Sequence, residues 1–153
     1  MVLALIGESC TGKSEIADLL IIEFKASVYT GKDYLRLAGN EAEAKMIFAG
    51  LLSGSQDSKN NLIYVISEKE QLDLLPEKAY RVVLKADLET IKQRFSKRMG
   101  GNMPPPVAGM LEKKHGMFDA TEADLVLDTT STKAEENHRK IVLEITKNKG
   151  EEQ

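Results

Sequence analysis

Eight consecutive residues, Gly7-Glu8-Ser9-Cys10-Thr11-Gly12-Lys13-Ser14, have the types and spacing that gripping a polyphosphate requires, and they fit G-x-x-x-x-G-K-[ST] in full. Gly7 and Gly12 permit backbone conformations that a side chain would forbid, so successive N–H groups can turn to one side and form an anion-binding concavity. Lys13 adds a full positive charge where the β- and γ-phosphates of a nucleotide would lie, and Ser14 offers a hydroxyl to Mg²⁺. Ser9, Cys10 and Thr11 complete the loop. Cys10 lies near the positive end of the helix that should follow, which would lower a thiol pKa and suit a redox or nucleophilic role. The plainer reading is a small side chain that the loop tolerates.

Such a loop works only between a strand and a helix, and the flanking residues supply both. Val2 to Ile6 is a continuous apolar run, as in a strand buried on both faces. Residues 13–24 place Ile16, Leu19, Leu20 and Phe24 near one face of a helix. Residues 27–30, 62–67, 80–86 and 123–130 read as four more strands. Between them, Ala42, Met46, Phe48, Ala49 and Leu52 suggest a helix over 40–52 that Gly54 ends, and Leu88, Ile91, Phe95 and Met99 define a helix over 87–99 with Asp87 as its N-cap. "GGNMPPP" at 100–106 interrupts it, and a short helix follows from Val107 to Lys114. Thr132 and Glu135 have capping-box spacing and open a last helix, with Ile141, Val142 and Ile145 inside. Strands separated by helices predict a three-layer α/β/α domain around a five-stranded parallel sheet, because parallel neighbours need a crossover. One domain over 1–148 is expected, with 149–153 a frayed polar tail.

Charge restricts the partners. Lys and Arg total 21 against 24 Asp and Glu, a formal net charge of -3 in 153 residues, so no global attraction to nucleic acid or to an anionic membrane is expected and an anion site must be local. Cys10, the single cysteine, cannot form an internal disulfide, no run approaches the ~20 apolar residues of a membrane span, and the expected location is the cytoplasm. The two histidines, His115 and His138, lack the spacing of a zinc site. Arg94 and Arg98 are one helical turn apart, with Lys97 beside them and Lys113 and Lys114 beyond the prolines. Two cationic helix ends joined by a bendable loop suit closure over phosphates and neutralisation of transition-state charge; the competing reading is a pair of solvated helix faces.

On the Gly7–Ser14 loop and this layout, the chain resembles the P-loop small-molecule kinases, the group of nucleoside monophosphate, shikimate and gluconate kinases. The resemblance implies a P-loop NTPase fold with strand order 2-3-1-4-5, a small lid over about 94–116, ATP and Mg²⁺ as cofactors, and transfer of the γ-phosphoryl group to a small metabolite. It also implies an acidic residue after the second strand, near the metal or the acceptor hydroxyl, a position that Asp33 occupies; the structural alternative makes Asp33 a helix cap. Lys32 and Arg36 beside it would suit an anionic acceptor. Many P-loop enzymes carry a carboxylate at the end of the third strand to order Mg²⁺ through water. "LIYVISEKEQ" has none within the strand, and Glu68, just past it, is the nearest candidate. That gap motivates a second expectation, an ATP- or GTP-binding regulatory protein without acceptor chemistry. A GTPase switch has no support, since N-K-x-D and a D-x-x-G after the third strand are both missing from the sequence.

Overall fold

The computed structural model describes residues 1–57 and 59–151. β1 (Val2–Gly7), β2 (Ser27–Thr30), β3 (Leu62–Ile66), β4 (Tyr80–Lys85) and β5 (Leu125–Asp128) form one parallel sheet in the order β2-β3-β1-β4-β5. α1 (Lys13–Phe24), α2 (Glu41–Asp57), α3 (Leu88–Arg98), α4 (Pro105–Lys114) and α5 (Ala134–Glu151) flank it. This is the three-layer α/β/α arrangement, with strand order 2-3-1-4-5, that the sequence implied.

The central position of β1 follows from its composition. With an apolar side chain at every position from Val2 to Ile6, it can be buried only where both faces are covered. Alternation along the strand then feeds two cores. Ala4 and Ile6 pack with Phe48 of α2, Tyr64 and Val83 on one face, whereas Leu3 and Leu5 pack with Ile16 and Leu20 of α1 and Ile141 of α5 on the other. The sheet edges are less buried than the sequence suggested: β2 and β5 each leave residues exposed, and Val126 is one of them. An edge strand has a neighbour on one side only and needs less apolar cover.

Several boundaries differ from expectation for local physical reasons. α2 runs through Gly50 and Gly54 to Asp57, and its buried face is Ala44, Phe48 and Leu52, while Met46 points to solvent. An i, i+4, i+8 row packed on the sheet outweighs the helix-weakening effect of two glycines. The prolines begin α4 rather than delaying it. Pro104 is its N-cap and Pro105 and Pro106 open its first turn, where a missing N–H has no cost. Asp87 caps α3 as expected, accepting from the Thr90 N–H at 2.8 Å. The Thr132–Glu135 capping box does not form, because the Thr132 hydroxyl pairs instead with the Asn137 side-chain amide. The tail read as frayed is helical as far as Glu151, and residues 152 and 153 lie outside the described residues.

Gly50 and Gly54 are exposed, and a Cβ at either would meet nothing within 4 Å. Gly50→Ala and Gly54→Ala are each expected to stabilise the protein by about 0.5–1 kcal/mol, read as a raised urea midpoint at unchanged m-value.

Candidate functional site

The turn from β1 into α1 lies at the carboxyl edge of the sheet, where open parallel sheets place ligands. Gly7 and Gly12 are both required, for different reasons. A Cβ on Gly7 would come within 2.8 Å of the Leu84 carbonyl oxygen and 2.5 Å of Thr11 Oγ1, so Gly7 supplies room for close packing against β4 rather than an unusual backbone angle. Gly12 has φ +94, the left-handed region that favours glycine. Cys10 adopts φ 63 without being glycine. Its side chain is buried in a small core with Ala86, Ile91 and Leu111, which ties the loop to α3 and α4 and is the environment of a structural rather than a reactive thiol.

The loop carbonyls are held by side chains. Lys13 Nζ donates to the Gly7 and Glu8 carbonyls, both at 2.6 Å, and Thr11 Oγ1 donates to the Glu8 carbonyl at 2.8 Å. The Thr129 hydroxyl donates to the Thr11 carbonyl at 2.7 Å, and Arg94 Nη1 donates to the Cys10 carbonyl at 3.1 Å. The ammonium of Lys13 is buried; desolvation is the main reason that its pKa falls to about 8, with Arg98 pushing the same way and Cys10 and Glu8 opposing. A negatively charged ligand here would offset that desolvation.

A cleft of about 650 Å³ opens beside the loop. Ser9, Cys10, Gly12, Lys13 and Ser14 of the loop line it together with Arg94, Lys97 and Arg98 of α3 and with Thr129, Asn137 and residues 132–135 between them. Five cationic residues line the cleft, Lys13, Arg94, Lys97, Arg98 and Lys133, against two carboxylates, Glu15 and Glu135. The local charge is therefore opposite in sign to that of the whole chain, as an anion site in an acidic protein demands.

The acidic and acceptor candidates lie outside this set. Asp33 is exposed at the start of a 3₁₀ turn (Asp33–Leu37), and its Oδ2 accepts from the Thr30 N–H at 3.0 Å. Lys32 is exposed next to it, and the Arg36 guanidinium lies 4.7 Å from the Tyr29 ring centroid. Glu68 caps the 3₁₀ turn Lys69–Leu74 in a reciprocal arrangement with Gln71, and its carboxylate pairs with Lys114 at 2.7 Å. Thr30 of β2, Val65 of β3 and Ser67 just past β3 also line the cleft. Among the described residues there is no group of three or more His, Cys, Asp or Glu side chains arranged to hold a metal ion. Ser14 lines the cleft beside Lys13.

Three contributors were hidden in the sequence. The Glu8 carboxylate reaches across to the end of α4, where it meets His115 Nδ1 at 3.1 Å and accepts from the Gly116 N–H at 3.2 Å. Thr129 is buried under the loop, and Asn137 lies at the end of the cleft. Each acts across more than 100 residues or depends on where α5 docks, which no local pattern encodes.

No protein-family model matches the chain, and no curated protein matches it by sequence. Solved structures do match its fold. A sugar kinase from Janibacter sp. HTCC2649 superposes with a TM-score of 0.68 at 19% identity, covering 95% of this chain and 94% of its own. Shikimate kinase from Acinetobacter baumannii, solved with shikimate, gives 0.68 at 16% identity, covering 97% and 94%. YorR from Bacillus subtilis, solved with phosphorylated GDP, gives 0.63 at 20% identity, covering 95% and 96%. At these identities the likeness is one of fold. Among the described residues no helix is long and apolar enough to cross a membrane.

The buried ammonium makes stability depend on pH in a definite direction. Unfolded, Lys13 keeps its proton up to 10.5; folded, only to about 8. Between those values the unfolded chain binds more protons, so stability rises with pH, with a slope approaching about 1.4 kcal/mol per pH unit. Tyr64, whose pKa burial raises, opposes the trend once pH passes 10. Urea unfolding between pH 8 and 10 is expected to show this rise in the native protein and to lose it in Lys13→Met.

Proposed function

We propose that the protein is a nucleotide-dependent phosphotransferase, binding Mg·ATP at the Gly7–Ser14 loop and transferring the γ-phosphoryl group to a small-molecule acceptor. The observation that carries this reading is the combination of a complete phosphate loop with a cation-lined cleft beside it. The fold shared with kinases of sugars, shikimate and nucleotides agrees with it.

The loop amides and the N-terminus of α1 would take the phosphate oxygens. Lys13, with two of its three ammonium N–H groups on the Gly7 and Glu8 carbonyls, would direct the third to charged phosphate oxygens, a strong pairing that also restores its proton affinity. Ser14, which lines the cleft, would hold Mg²⁺ through its hydroxyl, a sparse protein donor set that suits an ion delivered with the nucleotide. Bound there, Mg²⁺ would supply charge neutralisation on the transferring group. Arg98 and Lys97 stand along the same cleft, positioned to meet charge that develops on the γ-phosphoryl oxygens. Asp33, Lys32 and Arg36, at the rim beyond β2, form the proposed acceptor side, with Asp33 orienting the acceptor hydroxyl after releasing the Thr30 N–H.

One observation favours a second reading, a nucleotide-binding regulator without transfer chemistry. Both acidic candidates are already engaged, Asp33 by the Thr30 N–H and Glu68 by capping and an ion pair with Lys114. Radiolabelled ATP incubated with nucleoside monophosphates, sugars and hydroxy acids separates the two. The kinase reading expects acceptor-dependent label transfer that falls by about 10²–10³-fold in Lys13→Ala. Label transfer to no acceptor class, with nucleotide binding intact, would leave the regulator. Transfer that Lys13→Ala leaves unchanged would overturn the proposed mechanism.

A further inference from the structure

Arg94 lines the cleft, yet its guanidinium is already occupied. Nη1 donates to the Cys10 carbonyl at 3.1 Å and to Thr129 Oγ1 at 3.4 Å, and Nη2 donates to the Thr129 carbonyl at 2.6 Å and the Thr130 carbonyl at 3.5 Å. Thr129 Oγ1, buried, donates its own hydrogen bond to the Thr11 carbonyl at 2.7 Å. α3, the end of β5 and the phosphate loop are thus joined through two adjacent loop carbonyls. The charge of Arg94 is also partly answered. Asp87 and Asp128 have lowered pKa values, set first by hydrogen bonds from Thr90 and Thr130 respectively and in smaller part by Arg94.

Two loop peptides are held from behind by these bonds. A peptide unit is planar, and every peptide bond described is trans, so the N–H of residue i+1 points away from the C=O of residue i. Fixing the Cys10 carbonyl on Arg94 aims the Thr11 N–H the opposite way, and fixing the Thr11 carbonyl on Thr129 does the same for the Gly12 N–H. The left-handed conformations at Cys10 (φ 63) and Gly12 (φ +94) bracket these two units, and a left-handed non-glycine residue persists only where its surroundings hold it.

We infer that Arg94 and Thr129 form a collar around the phosphate loop that presets its amides before any ligand arrives, so that Arg94 is a positioning residue acting through backbone carbonyls while Arg98, whose side chain has no hydrogen-bond or ion-pair partner among the described residues, is left to meet phosphate. The inference rests on the phosphate-binding reading of the loop. It deepens that reading by dividing the two arginines, which sequence alone treats as equivalent. Setting the amides beforehand removes an ordering cost from binding, and that benefit applies to any ligand with α- and β-phosphates.

The test combines a ligand-free measurement with a binding one. Backbone ¹⁵N order parameters of Thr11 and Gly12 in the unliganded protein are expected near ~0.85 in the native chain and to fall below ~0.6 in Arg94→Ala and Thr129→Val. Thr129→Ser, which keeps the hydroxyl, should restore rigidity. Arg94→Lys, which keeps charge but loses the fork, should not. In calorimetric titrations Arg94→Ala and Thr129→Val should weaken Mg·ADP and Mg·ATP by the same factor, about tenfold, whereas Arg98→Ala should weaken ATP more than ADP. Should Arg94→Ala fail to fold, Thr129→Val and Arg94→Lys carry the same comparison. Unchanged order parameters in Thr129→Val and Arg94→Lys would overturn the collar. So would an Arg94→Lys variant with native affinity, or ATP weakened far more than ADP by the loss of Arg94. A native protein that binds neither nucleotide, with order parameters that still fall in the variants, would overturn the proposed function and leave the collar standing.

Discussion

The carbonyl oxygens of Gly7, Glu8, Cys10 and Thr11 are each held by a side chain hydrogen bond, and the functional edge of the molecule depends on that constraint. A backbone turn has as many acceptors as donors, and an anion site works only if the acceptors are turned away. Lys13 and Thr11 secure the carbonyls at the end of β1 from within the loop, and Arg94 and Thr129 secure the next two from α3 and β5. Turning the acceptors away leaves the donors and the positive end of α1 for the ligand.

That arrangement needs a rigid base. β1 provides it as the central strand, packed on both faces and flanked by β3 and β4, with Gly7 pressed against the Leu84 carbonyl so closely that no larger residue fits. The same packing buries the Lys13 ammonium and depresses its pKa to about 8, chiefly through desolvation. The free protein therefore bears an electrostatic cost at its centre that an anionic ligand relieves, in a chain whose overall charge of -3 would otherwise repel one.

Legibility in the sequence followed the range of the interactions involved. The strand–loop–helix unit at 2–24 was readable because apolar runs, helical spacing and loop glycines are all local, and the strands and Asp87 cap were readable for the same reason. The face of α2 was readable in part: Phe48 and Leu52 are buried as expected, but Met46 and Ala42 lie on a side that the sheet does not cover, and Ala44 completes the buried row. The prolines before α4 read as breakers although proline is well suited to a first helical turn. Arg94 and Arg98 looked alike because nothing local distinguishes them. Only the approach of residues 129 and 130 to the loop engages one guanidinium and leaves the other free. Glu8 and His115 meet for the same non-local reason; Asp33 accepts from the Thr30 N–H rather than capping a helix, and Glu68 caps the turn that follows it.

Amide proton shifts report most directly on whether this turn is a phosphate cup. Titrating ¹⁵N-labelled protein with Mg·ATP, and separately with inorganic tripolyphosphate, is expected to move the amide resonances of Thr11, Gly12, Lys13 and Ser14 downfield in both series, as N–H groups that donate to an anion do. Binding that leaves those four resonances in place, or no binding at millimolar ligand, would contradict the account.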